Sequence, residues 1–142
     1  MLIETDEGLA NLLKTVRHIA LVGASHKPER PSYQVLEFLL KKGYRVTPVN
    51  PGLAGRTLQG QTVVGSLSDI DTPVDLVDIF RDGSALSGLV DEAITIGAAS
   101  LWTQLDVRHP EAEQKAMDQG LTVVIDKCPA KEWPRLEACG LL

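Results

Sequence analysis

The sequence predicts an α/β fold: a Rossmann-like three-layer α/β/α arrangement built on a five-stranded parallel sheet. Three observations carry that reading. Residues 19–22, Ile-Ala-Leu-Val, are a short unbroken apolar run, the mark of a strand buried on both faces. A small-residue turn, Gly23-Ala24-Ser25, then leads to Pro31 and Ser32, which open a helix with Val35, Leu36, Leu39 and Leu40 on one face. The same alternation of apolar strand and amphipathic helix recurs down the chain, which requires parallel strands with helices covering both faces.

The elements follow in order. Residues 6–16 carry Leu9, Leu12, Leu13 and Val16 at helical spacing and are expected to pack on the sheet or cover an edge. The helix after the first strand ends at Gly43, a C-terminal cap. Residues 44–49 form the second strand. Pro48 within it lacks a backbone donor and marks a strand end or an irregular edge. Residues 53–70 are an excursion, with a short extended piece at 61–64 and a helical turn at 66–70. Residues 74–80, Val-Asp-Leu-Val-Asp-Ile-Phe, read as the central strand on the other side of the first. A helix follows from Ser84 to the cap at Gly97, then a strand over 98–102. His109-Pro110 starts a helix ending at Gly120, residues 121–125 are the last strand, and a short helix lies around 131–136. The expected spatial order is 3-2-1-4-5, with the switch point between the first strand and the strand ending at Phe80.

Composition narrows the class. A chain of 142 residues suits one domain spanning 1–142. Its net charge of −5 does not favour a nucleic-acid partner. No apolar run approaches a membrane span, and the acidic start, Met-Leu-Ile-Glu-Thr-Asp-Glu, is not a secretory signal. Cys128 and Cys139 make neither a disulfide framework nor a metal pattern, so a reduced, cytoplasmic setting is expected. Nothing in the sequence identifies a protein partner.

Ligands of such sheets bind at the carboxyl ends of the strands beside the switch point. There the small residues of Gly23-Ala24-Ser25 let a phosphate approach the backbone, and free N–H groups at the helix start receive its charge. A side chain at Gly23 is accordingly expected to block the ligand without unfolding the chain. The plainer reading of the turn is a tight strand-to-helix connection without a ligand. A nicotinamide fingerprint needs G-x-G-x-x-G, and here Ser25 and Pro28 hold the second and third glycine positions. The second strand ends at Asn50, where a nicotinamide site places an acid for the ribose. An amide tolerates a ribose 3′-phosphate that an acid would repel, although Asn50-Pro51-Gly52 is also an ordinary turn composition. Lys27, Arg30 and Arg81 gather on the same rim of an acidic protein, which suits a multiply phosphorylated ligand. Arg56 lies in the following loop, and a solvated side chain is the simpler reading there.

Six segments in order carry a family resemblance: Val22-Gly23-Ala24-Ser25, Arg30-Pro31-Ser32-Tyr33, Pro48-Val49-Asn50-Pro51, residues 74–81, Trp102-Thr103-Gln104 and Asp126-Lys127-Cys128-Pro129. Over residues 6–129 the chain resembles the small CoA-binding-domain proteins, stand-alone relatives of the N-terminal domain of the succinyl-CoA synthetase alpha subunit. The resemblance implies a nucleotide-binding fold that takes coenzyme A or an acyl-CoA. It implies that Gly23, Ala24 and Ser25 meet the phosphates, assisted by Arg30 and the helix start at Ser32. Asn50 and Pro51 would border the adenosine, and Ile79, Phe80 and Arg81 would line the far side of the groove. Residues 105–109, Leu-Asp-Val-Arg-His, depart from the family pattern after Trp-x-Gln. The synthetase's phosphorylated histidine belongs to a second domain, so ligase activity is not expected.

Catalytic groups are sparse. His18 sits at the wrong end of the sheet and reads as structural, and His109 as a helix-start residue. His26 lies in the phosphate loop and is either a phosphate donor or solvated. Cys128 is the candidate nucleophile, with Lys127 placed to lower its pKa, against the plainer reading of a half-buried turn residue. Asp75 and Asp78 are expected on or near a strand surface and do not form an acid–base pair. Trp102 and Trp133 read as packing anchors. The leading expectation is a CoA-binding protein without evident catalytic apparatus. The alternatives are an enzyme acting on a CoA thioester, an NAD(P)-binding reductase, and an interaction module without a ligand.

Overall fold

The computed structural model describes residues 1–142. Helix α1 (Asp6–Thr15) is capped by the Thr5 side chain, which accepts the Gly8 N–H, and buries Leu9, Ala10 and Leu13. Strand β1 (His18–Val22) is buried at every position. Helix α2 (Pro31–Lys41) begins on a proline and buries Val35, Leu36 and Leu39. Strand β2 (Arg45–Val49) leads to an excursion in which β3 (Thr57–Leu58) and β4 (Gln61–Thr62) form a small antiparallel ribbon, and residues 67–69 make the expected single turn. Strand β5 (Leu76–Ile79), helix α3 (Gly83–Thr95), strand β6 (Ser100–Thr103), helix α4 (Pro110–Asp118), strand β7 (Thr122–Val124) and helix α5 (Pro129–Ala138) complete the chain. Helix α5 starts earlier than expected because Pro129 fits a first helical position. No helix is long and apolar enough to cross a membrane.

The five main strands are parallel, in the order β2-β1-β5-β6-β7. The expected order differs only in numbering. Beyond β2, in the excursion, Val64 bridges Val49 in parallel. Strands β1 and β5 are neighbours, as the expected switch point requires. Pro48 sits on the edge strand, where a sheet tolerates a missing donor. At the opposite edge residues 1–3 run along β7: the Val123 N–H donates to the Met1 carbonyl at 2.8 Å and the Ile3 N–H to the Val123 carbonyl at 2.9 Å. It is this segment that covers an edge, while α1 packs against α5.

Side-chain alternation along each strand divides the core into two layers. Ile19, Leu21, Leu76 and Trp102 face α1, α2 and α5, with Leu9, Leu36 and Leu136. Ala20, Val77, Leu101 and Val123 face α3 and α4, with Leu86, Val90 and Ala116. Asp82 caps α3 by accepting the Ser84 N–H at 3.1 Å. Gly83, its first residue, lies against the loop before α4, and a Cβ there would fall far inside van der Waals contact of the Arg108 carbonyl oxygen. Because the obstacle is backbone, Gly83→Ala is expected to lower stability by about 1–3 kcal/mol in a urea melt. An unchanged midpoint would show that the loop moves aside freely.

Candidate functional site

After β1 the chain turns to one face of the sheet, into α2. After β5 it turns to the other, into α3. That divergence opens a crevice at the carboxyl ends of the two strands, and a cavity of about 730 Å³ occupies it. Its floor is tightly built. Gly23 has φ +90°, and a Cβ on it would stand 2.8 Å from the Phe80 carbonyl oxygen. The Gly23 and Ala24 N–H groups both donate to the Val49 carbonyl, at 3.0 and 3.2 Å. The glycine is therefore demanded first by the approach of β1 to β5. Asn50 completes the floor: its side-chain N–H donates to the Ala24 carbonyl at 2.7 Å while its Oδ1 accepts the Gly52 N–H at 2.8 Å. An aspartate has no donor for the first of these bonds, which gives Asn50 a structural reason apart from any ribose.

The donors left over lie further along the turn. The N–H groups of Ser25, His26 and Ser32 make no bond within the fold, and α2 has no side-chain cap at its start. Lys27, Arg30 and Arg81 line the same cavity. Unbonded N–H groups, a helix start and three cations make an anion-receiving wall. Across from it Glu92 of α3 also lines the cavity, a placement that helical spacing alone does not disclose.

Of the residues expected at the site, Gly23, Ala24, Ser25, Arg30, Ser32, Asn50, Pro51, Phe80 and Arg81 line the cavity. Ile79 does not. It is fully buried in the α3 and α4 layer, because alternation along β5 turns it inward, and Phe80 is the first residue past the strand. Residues 102–108 also lie away from the cavity wall, and Arg108 is held by Glu113 through its Nε at 3.0 Å and its guanidinium Nη2 at 3.2 Å. His26 lines the cavity. His18 is buried between the Pro73 carbonyl and the Thr47 hydroxyl, each at 2.7 Å. His109 caps α4, its Nδ1 accepting the Ala112 N–H. Trp102 is buried with its Nε1 donating to the Lys127 carbonyl at 2.8 Å, and Trp133 packs edge-on against Tyr44.

Two expectations about acids and thiols are corrected. Asp75 lies at the head of β5, accepting the Arg17 and His18 N–H groups at 2.9 Å. Asp78 is not near a surface but wholly buried. β5 is the middle strand, and alternation sends Asp78 into the layer beneath α2 and α5. Its Oδ1 accepts the Gln104 side-chain N–H at 2.6 Å, and its Oδ2 has no partner. Burial pushes its carboxyl up to about 7, against the opposing effect of the Gln104 hydrogen bond. The Cys128 thiol is pushed up by burial, with the Asp78 charge adding to the rise, and Lys127 does not lower it. The Lys127 ammonium lies instead 3.9 Å from Glu132. Asp78 and Gln104 are the buried polar pair that the sequence reading missed. The available signal was an acid in the middle of a central strand covered on both faces.

The family model for the CoA binding domain matches residues 17–134, which contain every wall of this cavity. The protein YneT of Bacillus subtilis (strain 168) is 34% identical over 120 residues, covering 84% of this chain and 87% of that one. A solved structure from Thermus thermophilus, cell-free ID.343, is 39% identical with a TM-score of 0.90, over 94% of this chain and 99% of that chain. The dinucleotide-forming acetyl-coenzyme A synthetase 1 of Ca. Korarchaeum cryptofilum, in its apo form, is 25% identical with a TM-score of 0.64; the match covers 75% of this chain and 25% of the synthetase.

Proposed function

The chain belongs to the CoA-binding domain family, as a small protein similar to the N-terminal domain of the succinyl-CoA synthetase alpha subunit, and from that premise we propose that it binds coenzyme A or an acyl-CoA in the crevice between β1 and β5. The observation that carries the reading is the wall of unbonded N–H groups at the uncapped start of α2, flanked by Lys27, Arg30 and Arg81. The diphosphate lies against Ser25, His26 and Ser32, with Arg30 as its charged partner. Gly23 and Ala24 shape the turn; their donors are already engaged by Val49. Asn50 and Pro51 border the adenosine, and Phe80 and Arg81 line the start of the path taken by the pantetheine arm. The role is recognition by one domain spanning residues 1–142. The cavity wall holds one histidine, His26, and no cysteine.

Calorimetric titration with CoA, acetyl-CoA, NAD and NADP in parallel tests the proposal. The expected result is saturable binding of the CoA species and no heat from NAD. Loss of a charged hydrogen bond in Arg30→Ala is expected to weaken CoA by about tenfold or more, and the affinity should fall with added salt. Binding of NADP alone would overturn the reading in favour of a reductase.

A further inference from the structure

The crevice has a second wall, opposite the cations. Val64 bridges Val49 in parallel, and the Asn50 N–H donates to the Val64 carbonyl at 2.9 Å. Gly65, Ser66 and Leu67 come next and line the cavity, and the turn over residues 67–69 packs against α3. Asn50, Gly65 and α3 are therefore consecutive sides of one recess, on the side of the crevice assigned above to the adenosine. Helix α3 presents Leu89 and Glu92 to it, three residues apart and so on one face of the helix.

Two features of this recess have no role within the fold. The first is Glu92. Its neighbour Asp91 holds Lys115 in an ion pair, whereas the half-buried Glu92 carboxylate has no partner. The second is Gly65. Its φ is not in the left-handed region, and a Cβ on it would meet Asp69 Oδ2 at 3.4 Å and the Ala54 Cβ at 3.6 Å, both ordinary contacts. The fold would accept an alanine there, so the bare backbone is open to the close approach of a flat ring. Leu89 adds an apolar flank that packs on the α3 and α4 layer.

An ionised carboxylate only accepts hydrogen bonds. Set beside an apolar side chain and bare backbone, it fits a planar base with N–H donors on its edge. In CoA that edge carries the adenine amino group. The same charge turns phosphates away from this wall and towards Lys27 and Arg30, which fixes the direction in which the ligand lies. We propose that Glu92 accepts a hydrogen bond from the adenine N6 amino group of CoA and selects the base. This rests on the CoA reading above. A base without that donor leaves the half-buried carboxylate facing ring nitrogens, unpaired, and is rejected for that reason.

Calorimetric titration with CoA and with 1,N6-etheno-CoA, whose added ring removes both amino hydrogens, tests this on wild type, Glu92→Gln and Glu92→Ala. The fold gives Glu92 no partner, so both variants are expected to keep the wild-type urea midpoint. Wild type should prefer CoA by about tenfold or more, the loss expected for one charge-assisted hydrogen bond. Glu92→Ala should weaken CoA to the level of the analogue and leave the analogue unchanged. Glu92→Gln, whose side-chain oxygen still accepts without a charge, should lie between. A preference that persists in Glu92→Ala would show that the added ring is excluded by its bulk, and would overturn the role given to Glu92. Tighter binding of both ligands by both variants would overturn it too, since the carboxylate would then act only by repelling phosphate. Equal binding of CoA and analogue by wild type would sink the selection and leave the CoA reading standing. Heat from neither would sink both.

Discussion

Gly23→Ala is expected to destabilise the entire fold by roughly 2–5 kcal/mol and to lose CoA binding as a consequence. Two separate effects add at this position. The backbone is at φ +90°, which an L side chain rarely adopts, and the new Cβ would press to 2.8 Å on the Phe80 carbonyl oxygen. Neither can relax cheaply. The Gly23 and Ala24 N–H groups anchor the turn to Val49, and Phe80 is tied to β1 through its own N–H, which donates to the Val22 carbonyl at 2.8 Å. The sequence alone suggested that a side chain here would obstruct a phosphate and spare the fold; the geometry puts the damage in the junction of β1 and β5. A urea melt of the variant beside a calorimetric titration decides between them. A wild-type midpoint with binding lost would restore the obstruction account.

Asp78→Asn is expected to act in the opposite direction, stabilising the protein above pH 7 by as much as about 4 kcal/mol. The carboxyl is raised from 3.8 to about 7 by burial. Between those two values the folded state keeps a proton that the unfolded state has released. Stability therefore falls as pH rises from about 4 to about 7, then levels off. An amide has no such proton, and its oxygen still accepts from Gln104. The advantage of the variant should be large at pH 8 and small near pH 4.5. Urea midpoints at those two pH values check this, and an equal difference at both would mean that Asp78 titrates normally in the folded protein.

The parts of the molecule set by local pattern were legible in the sequence. The run before Gly23, the face made by Val35, Leu36 and Leu39, and the glycines after the helices each follow from one segment's own periodicity and turn chemistry. The parts set by contacts between segments were not. Asn50 reads as a turn residue, but its hydrogen bond to the Ala24 carbonyl joins positions 26 apart. Ile79 and Phe80 differ by one step of strand alternation, which decides between core and cavity wall. Asp78 follows an alternating pattern that on an outer strand would point to water; only its place in the middle of a doubly covered sheet buries it. Glu92 lies on α3, and a helix pattern tells a polar face from an apolar one without saying which polar residue overlooks a crevice.

The covered flanks of the sheet bear on how the protein behaves in a crowded solution. An open strand edge is a template on which a second copy can add its own strand, and a parallel sheet of apolar strands is a hazardous one to leave open. Here the β7 flank is occupied by residues 1–3, and the β2 flank carries Pro48 and the bridge to Val64. Both ends of the sheet are thus blunted against edge-to-edge growth, and the chain's first residues serve as a guard against aggregation as much as a lead-in to α1.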